Sequence, residues 1–140
     1  MNLPQVFDGY ERTKASDAEL EKRGKQKDAE LEGRVNELKK LRESLELLND
    51  QARDAKSREI EQKSDELQRF RTNTARDLGR ERDKIASTIL QDIRQAVEEY
   101  AKANGYSLVV SGQAVLYGQP SYDVTGEVLK LLNSRYKAKP

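Results

Sequence analysis

The side chains that most often carry catalysis or hold metal ions are scarce in this sequence. Its 140 residues include no Cys and no His, which removes thiol nucleophiles, imidazole bases and the commonest zinc ligands. Carboxylates are abundant, but neighbours such as Glu98 and Glu99 lie in a charged helical stretch where nothing predicts the burial that a general acid needs. No G-x-x-x-x-G-K-[ST] pattern occurs, so no ATP-driven cycle is indicated. We expect no enzyme, no cofactor and no metal site.

Four basic residues recur at spacings of seven, four and four, which places them on one face of a helix. They could contact acidic partners or lipid headgroups. The simpler interpretation is a solvated face whose charges pair with nearby carboxylates, since exposed charge runs are usually of that kind. The net charge of +1 gives no overall field that favours nucleic acid or a membrane surface. The basic residues are Arg69, Arg76, Arg80 and Lys84, and the nearby carboxylates are Asp77, Glu81 and Asp83.

The element that must carry these residues is a long antiparallel helical hairpin. Between Ser16 and Ala103, sparse apolar residues recur mostly at helical spacings of three, four or seven. Pairs such as Leu41 with Leu67 have residue numbers that add to 108 or 109, which places one reversal near Asp54. The apolar positions are Leu20, Leu31, Val35, Leu38, Leu41, Leu45 and Leu48 on the first helix, and Ile60, Leu67, Phe70, Leu78, Ile85 and Ile89 on the second.

The hairpin forms an arm over residues 16–89, with its tip near residues 49–56 and Ser57 as the start of the returning helix. Its apolar residues near the tip are expected to hold the two helices together. Leu47 falls off that pattern and is the better candidate for contact with a binding partner. Three glycines interrupt the helices at about 1 kcal/mol each relative to Ala, and we interpret them as pivots of the arm. They are Gly24, Gly33 and Gly79.

A helix C-cap is expected at Asn104-Gly105. Beyond it, the apolar residues no longer follow helical spacing. Residues 106–110 and 114–117 are rich in β-branched and aromatic residues, which predicts a β-hairpin over 106–117. Asp123 is the expected N-cap of a final helix over 123–136. The predicted fold class is α+β, in which residues 1–15 and 90–140 form a small β-rich body and residues 16–89 form the arm.

The predicted body is too small to cover its own apolar side chains. Isolated β-hairpins are marginally stable at best, and one short helix cannot shield Leu108, Val110, Val115 and Tyr117 from water. We therefore expect the chain to self-associate through these residues, with the polar arms projecting from the oligomer.

Several segments, in this order and spacing, resemble the Skp/OmpH family of periplasmic chaperones. They are Val6-Phe7-Asp8-Gly9-Tyr10, the run from Ala101 to Val110, Ala114-Val115-Leu116-Tyr117, and the run from Asp123 to Leu129. The resemblance implies a jellyfish-like homotrimer whose arms enclose a cavity. It also implies an ATP-independent holdase that binds unfolded outer-membrane β-barrel proteins in the periplasm and prevents their aggregation.

Two other interpretations fit parts of the sequence. A structural coiled-coil scaffold or spacer would explain the arms without unfolded clients. A prefoldin-like cytosolic holdase also carries helical arms, but its β-hairpins interrupt the helical hairpin, whereas here both predicted strands follow the second helix. Met1-Asn2-Leu3-Pro4 leads into Gln5-Val6-Phe7 without the basic and apolar stretches of a secretory signal, so a periplasmic location is implied by the resemblance alone.

Overall fold

A computed structural model describes residues 1–138, and that part of the chain is almost entirely helical. The helices are α1 (Leu3–Gly9), α2 (Glu11–Ser44), α3 (Asp50–Asn104) and α4 (Thr125–Ala138). Short 3-10 turns lie at Leu45–Leu47, Gly112–Ala114 and Pro120–Tyr122. The chain divides into two compact units, a base unit (Met1–Glu19 and the chain from Arg82 onward) and an arm unit (Leu20–Glu81).

The predicted α+β class with a β-rich body is wrong, because residues 1–138 contain no strand. The predicted β-hairpin over 106–117 is instead an irregular stretch bent by the turn at Gly112–Ala114. That turn closes on itself, with Ala114 N–H donating to Ser111 O at 3.0 Å and Val115 N–H to Gly112 O at 3.2 Å. The backbone on the two sides of the turn therefore forms no ladder. Side-chain propensity for strand did not suffice where no third strand or covering helix supports two short ones.

Three helices bury the core of the base unit. Val6 from α1, Ile89 and Ile93 from α3, and Val128 and Leu132 from α4 are at most 2% exposed. Each fully buried aliphatic side chain of this size stabilises the fold by about 1.5–3 kcal/mol. The remaining members of this core are Tyr10, Ala96 and Val124.

The arm unit is held together by little apolar burial. Of the large apolar side chains in Leu20–Glu81, only Leu38 and Ile60 are buried. Polar contacts join its helices along their length, including Lys63 Nζ to Glu37 Oε1 at 2.9 Å and an ion pair between Arg23 and Glu81. The paired helices of the arm unit therefore combine a few buried and several half-buried apolar side chains with charged contacts.

The predicted helical hairpin is present in the arm unit, but its reversal was placed too far along the chain. The turn lies at Leu45–Leu47, and α3 begins at Asp50, so Ser57 does not start the returning helix. Asn49 is the cap, since its side-chain oxygen accepts the N–H of Ala52 at 2.9 Å. Asn49 and Asp50, within the predicted tip over residues 49–56, are instead the cap and a first-turn acid of α3.

The register between the two helices changes with the turn. Glu37 contacts Lys63, and Arg23 contacts Glu81, so the residue numbers of facing positions add to about 100–104. The predicted sums of 108 and 109 are therefore wrong.

One predicted helix boundary is confirmed, and the other is displaced by two residues. Gly105 follows α3 with a φ of 71°, the left-handed region that favours glycine, and Tyr106 N–H donates to Ala101 O at 2.9 Å across the helix end. The last helix begins at Thr125 and ends at Ala138 instead of spanning 123–136, and Asp123 Oδ1 accepts the N–H of Thr125 at 3.0 Å just before the helix. The irregular chain from Tyr106 to Tyr122 is thus bounded by two well-formed helix ends.

Candidate functional site

The segment from Tyr106 to Tyr122, called the 106–122 segment below, carries an unusual number of exposed apolar side chains. Leu108 is 76% exposed and Tyr117 is 86% exposed, while Val110 and Val115 are each more than two-fifths exposed. Leu116 and Tyr122 are also exposed. Single exposed apolar residues are ordinary, but a contiguous group of them marks an interaction surface. Within residues 1–138 these side chains stay exposed to solvent, and self-association through them remains a prediction.

The N-terminal residues lie beside this segment. Met1 N–H donates to Val110 O at 3.2 Å, and Gly112 N–H donates to Met1 O at 2.6 Å. An open cleft of about 880 Å³ lies between Met1–Pro4 and the 106–122 segment. Leu108, Val110, Val115 and Tyr122 line this cleft, so part of the exposed apolar group faces it.

Asp123 and Thr125 fix this surface to the start of α4. The Thr125 side chain donates to the Asp123 carboxylate, and its oxygen accepts the N–H of Asn2 at 2.8 Å. The hydrogen bonds that the hydroxyl and the backbone N–H of Thr125 donate to the Asp123 carboxylate lower the pKa of Asp123. The two residues thereby tie the N-terminal backbone to the last helix.

The base unit also holds a polar cluster that the sequence did not reveal. Tyr10 Oη donates to Asp92 Oδ2 at 3.1 Å, and Arg12 contacts the same oxygen. Burial, together with the hydrogen bond to Asp92, raises the pKa of Tyr10, and the hydrogen bond to Asp92 raises that of Arg12. Neither group has the near-neutral pKa of a general base, so we assign this cluster to holding α2 against α3.

The arm residues singled out from the sequence are exposed. Leu47 is 89% exposed at the turn, whereas Leu45 and Leu48 are half-buried and Ile60 is buried, as the apolar pattern predicted. A role of Leu47 in binding remains a prediction.

The four basic residues Arg69, Arg76, Arg80 and Lys84 are all exposed on α3. Arg76 Nε lies 3.7 Å from Asp77 and its guanidinium also donates to Asn73 Oδ1 at 2.9 Å. The expected partner Glu81 pairs with Arg23 of α2 instead. Within residues 1–138, an ion pair with a nearby carboxylate is therefore present for Arg76 alone of the four.

Phe70 of the arm unit has an electrostatic role that its apolar character concealed. The guanidinium of Arg34 lies 4.4 Å from the centre of the Phe70 ring, and Lys27 Nζ lies 5.4 Å from it. Glu30 contacts both cations, at 2.9 and 3.2 Å. A cation–π interaction at an exposed site stabilises a fold by about 0.5–1 kcal/mol. The spacing of Lys27, Glu30 and Arg34 places them on one face of α2, which is the feature of the sequence that could have indicated this cluster.

The glycines interpreted as pivots lie inside helices with free space around them. A Cβ atom on Gly24, Gly33 or Gly79 would meet no atom within 4 Å. Packing therefore does not require glycine at any of the three positions. Their role as pivots is untested by the geometry.

Other kinds of site find no support in residues 1–138. The described part of the chain holds no cluster of three acidic side chains suited to a metal ion. Within the same residues, every helix is too short or too polar to cross a lipid bilayer.

Comparison with known proteins gives consistent matches. Residues 1–132 match the family model described as OmpH, outer membrane protein (OmpH-like). The chain is 27% identical to the chaperone protein Skp of Yersinia enterocolitica over 138 residues, covering 93% of this chain and 82% of that protein. Its fold is similar to a crystal structure of an OmpH-like outer membrane chaperone from Caulobacter crescentus CB15, with a TM-score of 0.89 and 22% identity over 99% of this chain and 85% of the other. The chain therefore belongs to the OmpH family.

Proposed function

We propose that this protein is an ATP-independent holdase that keeps unfolded outer-membrane β-barrel proteins from aggregating in the periplasm. The observation that carries the proposal is the apolar surface of the 106–122 segment, which is exposed in a chain whose arm unit is otherwise polar and charged. Such an apolar surface is stabilised when it is shielded from water. A second and a third copy of the same chain bury it. A homotrimer then brings several arms to one base.

The proposed division of labour follows the predicted domains, with residues 1–15 and 90–140 assembling the trimer and residues 16–89 holding the client. Unfolded chains offer many weak apolar and charged contacts. Arms joined to one base raise the effective concentration of such contacts, so weak individual interactions give strong overall binding. Leu47 and the exposed basic residues of α3 are the proposed client contacts.

Polar arms suit a holdase because they present no large apolar patch when empty. Release needs no nucleotide, since a client that folds elsewhere is withdrawn from the unfolded pool by mass action. The family's chaperone role supports this mechanism, and the exposed charged face of the arm is compatible with it.

The proposal is tested by diluting a urea-denatured β-barrel membrane protein into buffer and following light scattering. We expect suppression of aggregation near one trimer per client without nucleotide. Leu47→Ser and a combined Arg69→Gln, Arg80→Gln variant should weaken suppression, whereas the matched surface change Gln62→Ser on α3 should not. A protein that gives no protection at several-fold excess, while still assembling, would be a coiled-coil scaffold.

A further inference from the structure

The chain bends sharply between α1 and α2. Tyr10 has φ −69° and ψ 124°, an extended conformation between two helices. In an unbroken helix the carbonyl of Gly9 would accept the N–H of Thr13, and the N–H of Glu11 would reach the carbonyl of Phe7. Here Thr13 N–H donates to Tyr10 O instead, at 3.0 Å. The Gly9 carbonyl and the Glu11 N–H are therefore among the groups that lose their helical partners at the bend.

A single side chain from the other end of the sequence supplies both missing partners. Asn133 Oδ1 accepts the N–H of Glu11 at 2.8 Å, and Asn133 Nδ2 donates to Gly9 O at 3.3 Å. A primary amide carries one acceptor and one donor group side by side, which is what the two sides of the bend require. The arrangement joins residues more than 120 positions apart.

Other residues on the same face of α4 contact the same bend. A Cβ on Gly9 would lie 2.6 Å from Leu129 Cδ2, so any side chain at position 9 would force Leu129 to shift. The ring of Tyr136 packs edge-on to that of Tyr10 at 6.0 Å, and Lys137 Nζ lies 3.0 Å from Glu11 Oε1. Positions 129, 133, 136 and 137 follow helical spacing, so one face of α4 holds the bend along its length.

The bend controls where the N-terminal residues can lie. Helix α1 has only seven residues, and its N-terminal side is tied to Val110, Gly112 and Thr125 by the backbone of Met1 and Asn2. Straightening at Tyr10 would swing α1 away from these contacts, because a rigid seven-residue helix transmits the rotation directly.

We propose that Asn133 is a positioning residue that clasps the bend at Tyr10 and so keeps Met1–Pro4 docked beside the 106–122 segment. The contacts that form this clasp all lie within one chain. Its effect on assembly rests on the proposed function, because the 106–122 segment is the proposed trimer surface.

The first test uses the wild-type protein and amide hydrogen exchange. The first four N–H groups of a helix ordinarily lack partners and exchange fast. We expect the Glu11 amide to be protected despite being the first residue of α2. A Glu11 amide that exchanges at the rate of an uncapped helix end would overturn the clasp, whatever any variant does.

The second test compares Asn133→Ala with the matched control Ser134→Ala, a neighbouring exposed residue whose hydroxyl bonds only within α4, to Leu131 O. Loss of both Asn133 hydrogen bonds should lower the protection of the Glu11 amide about tenfold or more. The Ser134→Ala protein should keep it. Equal protection in both variants would contradict the proposal.

The third test follows the bend itself. The chain has no Cys, so spin labels can be placed specifically at Gln5→Cys and Asp17→Cys, both exposed positions of the base unit. Asn133→Ala should add a population near the roughly 18 Å spacing of twelve residues on one helix. An unchanged distance distribution would overturn the role in bending. A further outcome is that Asn133→Ala changes the bend while the concentration at which the oligomer dissociates stays that of wild type. That result would support the role of Asn133 in the bend and contradict its proposed effect on assembly.

Discussion

Replacing the three interior glycines of the arm by alanine separates two explanations of why they are there. A Cβ at Gly24, Gly33 or Gly79 meets no atom within 4 Å, so each substitution is free of steric cost. Alanine is favoured over glycine in a helix interior by about 0.8–1 kcal/mol, largely because an unfolded chain with alanine has fewer conformations to lose on folding. The triple variant should therefore gain about 2–3 kcal/mol in free energy of unfolding.

The assay is urea unfolding followed by helical circular dichroism, at one fixed protein concentration because assembly also contributes to stability. The midpoint should rise without a change of slope. Two matched glycine-to-alanine controls should move the opposite way. Gly105→Ala places a side chain at a φ of 71°, which costs about 1–2 kcal/mol, and Gly9→Ala meets Leu129 at 2.6 Å.

The same triple variant tests whether the glycines are pivots. If bending of the arm around a client requires them, the variant should be more stable yet suppress client aggregation less well than wild type. Unchanged suppression with higher stability would refute the pivots. Unchanged stability would refute the premise that these positions lie in ordinary, uncrowded helix.

Three further predictions concern assembly, acid stability and the middle of the arm. Leu108→Asp places a charge in the proposed trimer surface, so sedimentation should show smaller species while helical content is retained; a full-size oligomer would argue against this surface. Because the pKa of Asp123 is lowered in the folded state, its stabilising contribution is present above the ordinary carboxyl pKa of about 3.9 and is lost as the pH falls through the folded value. Asp123→Asn should therefore reduce the loss of stability that urea unfolding measures as the pH falls below about 4, and an unaltered acid profile would contradict the assignment. Phe70→Leu keeps apolar bulk but removes the aromatic face beneath two cations, so stability should fall by about 1 kcal/mol and depend less on salt; equal stability at low salt would show that the contacts contribute nothing.

The parts of the fold that depend on local pattern were predictable from sequence. Helical spacing indicated the hairpin, Gly105 marked the end of α3, and Asp123 marked the start of the last helix, each through an interaction within a few residues. The turn was misplaced because Asn49 and Asp50 favour both turns and helix starts, and propensity does not distinguish the two.

The parts that depend on distant residues were not predictable. The strands expected over 106–117 have suitable side chains, but a strand exists only where a neighbour completes its hydrogen bonds. Likewise, nothing near Asn133 in the sequence shows that it meets Glu11, and the bend at Tyr10 follows from that contact. The candidate client residues are exposed as the sequence indicated, although exposure alone does not define a binding site.

The central claim is that several copies assembled through the 106–122 segment hold one unfolded client between them. Sedimentation velocity of the protein mixed with a denatured, fluorescently labelled β-barrel membrane protein measures this directly. With a chain mass of 16.0 kDa, the account predicts a free oligomer of about 48 kDa and a labelled species containing one client and three chains. A protein that sediments as a monomer, with the client pelleting as aggregate, would contradict it.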